Sequence, residues 1–102
     1  MHYSEGKGAL KDDKEAVKWL RKAAEQGYAP AQYNLGFSYS EGKGVLKDFV
    51  TAYAWGNIAQ ANGYKDAEKF KSIIVKQMTP EQMAEGQKLS REMAEKNPKL
   101  LK

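Results

Sequence analysis

The string Tyr-Ser-Glu-Gly-Lys-Gly occurs twice in this chain, at residues 3–8 and again at 39–44, an offset of 36. The offset continues past the string. Leu10-Lys11-Asp12 returns as Leu46-Lys47-Asp48, Ala16 as Ala52, Trp19 as Trp55 and Ala23 as Ala59, and Gly27-Tyr28 and Ala31 return as Gly63-Tyr64 and Ala67. A fixed period of this size predicts stacked supersecondary units, each burying an apolar face against its neighbour.

The apolar spacing within each unit is helical, and no segment alternates as a strand does. A first helix is expected from Asp12 to Gln26, with Asp12 as N-cap, Glu15 completing a capping box and Gly27 as the stop. A second starts at Pro30, tolerated there because a first-turn N–H has no intrahelical partner. It carries Ala31, Leu35 and Tyr39 on one stripe and ends before Glu41-Gly42-Lys43-Gly44. A third, Asp48 to Ala61, repeats the first with Ala52, Trp55 and Ala59 inward. A fourth runs from Asp66 to Gln77, its apolar positions continuing to Met78. Thr79, Pro80 and Gln82 announce a fifth, which stops before Pro98 and has only a thin apolar stripe, as a terminal cap requires.

Within the 102 residues, net charge is +4 and cysteine is absent. Disulfides and thiolate metal sites are therefore excluded, while the compartment stays open between cytoplasm and export after signal removal. No stretch reads as a membrane span or a signal core. His2 is the sole histidine and lacks the partners that a metal site or a triad needs. The Gly-Lys-Gly turns lack the strand and the Ser or Thr of a phosphate loop. Asp12 and Asp48 have structural work as caps, and Glu92 and Glu95 belong to a polar helix face. The reading is non-enzymatic and without cofactor. Lys65, Lys69, Lys71 and Lys76 gather on the fourth helix, but Asp66 and Glu68 intervene, so no nucleic-acid partner is expected.

The pattern Ala31-x-x-x-Leu35-Gly36-x-x-Tyr39-x-x-Gly42-x-Gly44-Val45-x-x-Asp48-x-x-x-Ala52-x-x-Trp55 resembles the Sel1-like repeat, a helix pair related to the tetratricopeptide repeat with a longer Gly-rich turn. The segment Met78 to Gln82 resembles the one that often closes such arrays. The cysteine pairs of the family's disulfide-bonded branch are absent, so its secreted location and β-lactam binding are not carried over. The resemblance implies an all-α, right-handed α/α solenoid of about five antiparallel helices in one domain. Residues 1–28 form an incomplete first repeat, 29–64 a complete one, and 65–102 a terminal half-repeat with a capping helix. Small Ala16, Ala31, Ala52 and Ala67 allow close helix approach, and Trp19 and Trp55 supply large buried area.

In the tetratricopeptide superfamily the first helix of each pair lines a concave groove that holds peptides or partner helices. That comparison places Tyr33, Phe37 and Ser40 toward the groove and, one period later, Lys69, Ile73 and Lys76. It implies a protein–protein interaction module or adaptor whose partner carries apolar and acidic groups; the competing expectation is that Tyr33 and Phe37 pack as core between repeats. Counting back 36 from residue 30 leaves the first repeat without its opening helix, so the first-repeat helix is expected to expose apolar residues such as Val17 or Leu20. That open edge is read as the mark of an array fragment, as a seat for a partner that completes the repeat, or as a homo-oligomer contact. Self-association through it is the alternative role.

Overall fold

The computed structural model describes the backbone of residues 6–102 and side chains from Asp13 onward; His2 and the first copy of the Tyr-Ser-Glu string up to Glu5 lie outside the described residues. Five α-helices follow one another: α1 Gly6–Glu25, α2 Ala29–Glu41, α3 Phe49–Ala61, α4 Lys65–Ile74 and α5 Pro80–Lys96. Short 3-10 turns, Val75–Gln77 and Pro98–Leu100, follow α4 and α5, and no strand occurs among the described residues.

The centre of the molecule is α3, which packs against α2, α4 and α5. Its sequence is apolar nearly all round, the signature of a helix enclosed on every side. Seven of its residues are buried, Trp55 and Ile58 toward α2 and α1, Tyr53 toward α5. Gly86 of α5 rests on the Tyr53 ring, where any Cβ would collide with it. Asp48 caps α3, accepting from the Thr51 N–H at 3.2 Å. Thr79 and Gln82 form the reciprocal capping box of α5, with bonds of 2.9 and 3.1 Å. Gly27 and Gly63, at φ of 92° and 88°, end the helices where a side chain would be strained.

The two copies of the repeat differ at their start. The Gly42–Gly44 turn is a true loop, and Gly44 lies against the Asp13 carbonyl and the Val17 side chain of α1. The equivalent stretch around Gly8 is helical, and α1 runs through Asp12, which is therefore not an N-cap. The second turn is shaped by the helix it folds against; among the described residues nothing plays that part for the first.

The same asymmetry overturns the expectation for Trp19. Trp55 is 5% exposed, because α2 covers it, whereas Trp19 is 63% exposed. Ala16 is exposed too, while Ala52 is buried. Val17 is buried and forms no part of the open flank, whereas Leu20 is half-buried, packing against the main core and lining an outer depression beside Trp19.

The strap from Asn97 to Lys102 was not foreseen. It crosses the ends of α1, α2 and α3 and buries Leu100 in the core with Val17, Ala24, Leu35 and Trp55. Gln32, wholly buried, donates from Nε2 to the carbonyls of Ala24 (3.0 Å) and Leu100 (2.9 Å) and accepts from Asn62 Nδ2 (2.8 Å). Asn62 also accepts from the Lys102 N–H, and Asn97 donates to the Glu25 carbonyl.

Candidate functional site

Between α2 and α4 runs a groove of about 610 Å³. Its floor is aromatic. Phe70, buried on α4, takes Tyr33 edge-on with centroids 5.5 Å apart and lies 6.3 Å from Phe37, while Tyr33 stacks on Tyr64 at 4.9 Å. Such pairs fix ring positions by edge-to-face attraction beyond simple burial. They are possible because Gly36 and Gly56, helical glycines beside Phe70, let the three helices close around its ring.

Five of the six residues placed at the groove by sequence line it: Tyr33, Phe37, Ser40, Lys69 and Ile73. Phe37 is 41% exposed and Ile73 58%, so both leave apolar surface open to solvent. Tyr33 is half-buried against its aromatic neighbours and contributes to the floor, which gives the core-packing expectation part of its due. Ser40 is buried and its hydroxyl donates to the Phe37 carbonyl at 2.7 Å, so it supports the wall without an unpaired donor.

Lys76 does not reach the groove. It stands one period after Ser40, but Ser40 lies in α2 and Lys76 in the 3-10 turn Val75–Gln77, so the two copies differ in backbone there and Gln77 lines the groove instead. The same three-and-four spacing also supplies Glu41 one turn beyond Phe37 and Asp66 three residues before Lys69. Lys47 enters from the α2–α3 turn and Phe49 from the first position of α3, with the Lys47 ammonium 5.2 Å from the Phe49 ring centroid.

The rim is thus mixed in charge, Lys47 and Lys69 against Glu41 and Asp66. The remaining lysines of α4 do not form one patch with Lys69. Lys71 sits on the opposite face, donating to Gln60 Oε1 at 2.7 Å and lying over the Tyr53 ring. Burial, followed by the Asp66 carboxylate and then Tyr64, raises the Tyr33 phenol above its ordinary value. Among the described residues no group of three or more His, Cys, Asp or Glu is placed to hold a metal ion, and no helix is long and apolar enough to cross a membrane.

A search of curated proteins finds no match to this chain. Among solved structures, the fold is similar to the crystal structure of c5321, a protective antigen present in uropathogenic Escherichia coli strains and displaying an SLR fold. The TM-score is 0.81 at 35% identity, over 91% of this chain but only 22% of that one. The chain therefore spans about a fifth of the length of that protein. The Sel1 repeat family model matches residues 1–28 and 29–64. With more than half of its length matched in tandem, and helix pairs stacked as an α/α solenoid, the chain belongs to the Sel1 repeat family.

Proposed function

We propose that this chain is a non-catalytic protein-interaction module or adaptor that holds a peptide or a partner segment in the groove between α2 and α4. The observation that carries the reading is the pair Phe37 and Ile73, large apolar side chains left substantially exposed above a fixed aromatic floor. Exposed apolar residues gathered in a concavity and ringed by charges are the usual make-up of an interaction site. Lys47 and Lys69 would pair with carboxylates of a partner, while Glu41 and Asp66 restrict where those carboxylates sit. The preferred ligand is a segment with a leucine or aromatic anchor and an acidic residue to one side.

Selection from a random peptide library, followed by fluorescence polarisation, tests this. Enriched peptides should share that anchor and acid. Ile73→Asp should weaken their binding at least about tenfold, as loss of a central anchor does, and Lys69→Glu should shift preference toward basic peptides. Both positions are exposed, so melting should be unchanged. Binding indifferent to Ile73→Asp and to Phe37→Ala would exclude the groove.

A further inference from the structure

Asn62-Gly63 is the only asparagine–glycine pair in the sequence. In such a pair the side-chain amide lies open to attack by the next backbone nitrogen, because glycine has no side chain to shield it. The other asparagines, Asn34, Asn57 and Asn97, precede Leu35, Ile58 and Pro98; two of these are branched and the third has no N–H. One repeat earlier the pair is Gln26-Gly27, whose longer side chain would have to close a larger ring. The reactive pair sits at the turn between α3 and α4, with Gly63 exposed and at φ 88°.

The Asn62 side chain is also the anchorage of the strap. Its Nδ2 donates to the Leu100 carbonyl and to Gln32 Oε1, both at 2.8 Å, and its Oδ1 accepts from the Lys102 N–H at 2.8 Å. Gln32 is wholly buried and already donates from Nε2 to the Ala24 and Leu100 carbonyls. A carboxylate at position 62 has no proton to give and would set a charged oxygen against two acceptors. Turning the Gln32 amide over does not help, since its oxygen would then face the Ala24 and Leu100 carbonyls. Buried polar groups left in this way are strongly unfavourable.

We propose that Asn62-Gly63 is a deamidation site that the strap guards, and that its conversion releases the strap. The Gly63 nitrogen gives its proton to a solvent base and attacks Asn62 Cγ; the new C–N bond closes a succinimide and Nδ2 leaves as ammonia. Water then opens the ring at either carbonyl, giving aspartate or an isoaspartate linkage. Water enters, ammonia leaves, and nothing is oxidised or reduced. In the closed fold both partners are held back. The Gly63 N–H donates to the Gln60 carbonyl at 2.9 Å, and the Asn62 amide is pinned through both its nitrogen and its oxygen, so Cγ is not free to turn onto the Gly63 nitrogen. Attack requires the strap to lift, and the acid it leaves behind prevents the same closure. A transient opening becomes permanent.

The test is incubation of the full chain in mildly alkaline buffer made with heavy-oxygen water, followed by peptide mapping. The peptide holding residue 62 should convert to the acid and carry the label, while Asn34 and Asn57 remain amides. A synthetic peptide of residues 58–67, which has no strap, should react at least about tenfold faster than the folded chain, as the local opening equilibrium dictates. Asn97→Ala removes the tie to the Glu25 carbonyl without touching the core and should speed the folded chain several-fold; Leu100→Ala should speed it further. Thr79→Ala, which weakens the remote α5 cap, should leave the rate unchanged. In Asn62→Asp, hydrogen exchange at the Leu100 and Lys102 amides should rise at least about tenfold while α5 keeps its protection.

Conversion at Asn62 no faster than at Asn34 overturns the proposal, as do equal rates in the peptide and the folded chain. Equal acceleration by Thr79→Ala would assign the reaction to global unfolding and also overturn it. Unchanged exchange of the strap in Asn62→Asp would overturn the release.

Discussion

Tyr33 sits where two demands meet, half in the aromatic floor and half facing the groove. Its phenol is held protonated more firmly in the folded chain than in an unfolded one, first by burial and then by Asp66 and Tyr64. For a group raised in this way, the associated stability is fully present below the ordinary tyrosine value of about 10 and is lost as pH rises through the raised value. The wild-type melting temperature should therefore fall more steeply than that of Tyr33→Phe between pH 9 and 11, a scan that differential calorimetry can make. Gln32, one residue earlier, was not legible as a core residue. A lone polar side chain on a helix reads as surface, and its counterpart one period later, Glu68, is exposed. Its burial depends on Leu100 and Asn62, which only the folded chain brings beside it.

At the scale of elements, a local start signal holds where the stretch before it is not itself helical. Thr79-Pro80-Glu81-Gln82 and Asp48 form their caps from neighbours within three residues, so the sequence contains the whole interaction. Asp12 carries the same kind of local signal, with Glu15 three residues on, yet α1 runs straight through it, because the stretch before it is helical and no turn precedes it. The Asn97–Lys102 strap was invisible for a further reason: six residues are too few to show a periodicity, and Pro98 announced only an ending. Leu100 is nevertheless buried at 2% exposure, and its carbonyl accepts from both Gln32 and Asn62. Leu100→Ala should lower stability by about 2–5 kcal/mol, the range for leucines truncated in a core, as measured by urea unfolding. Lys99→Ala, exposed on the same strap, is the neutral control.

For the whole molecule, identical residues one period apart have different surroundings, because a stack gives its inner and outer helices different numbers of neighbours. Trp19 and Trp55 show this best. Trp55→Ala should cost about 3–5 kcal/mol, whereas Trp19→Ala should stay within about 0.5 kcal/mol in the isolated chain, both read from denaturant midpoints. Acrylamide should quench one indole of the two. The groove was legible through the resemblance: the tetratricopeptide comparison placed Tyr33 and Phe37 toward it and, one period later, Lys69 and Ile73, and all four line it. The contribution of Lys47 comes from a turn, whose path no helical period describes, and that path also carries Phe49, the first residue of α3, to the groove.

A linear stack ordinarily folds by adding each helix pair to the one before, with contacts that stay local along the chain. The strap breaks that order. Residues 97–102 emerge from the ribosome after every helix they tie, yet they supply the partners of Gln32, Asn62 and the Glu25 carbonyl. During synthesis α1 and α2 therefore wait, with an amide and a core cavity unfilled, until Leu100 has been made. The strap thus closes over its helices only after all of them exist, linking the fate of α1 to the arrival of Leu100.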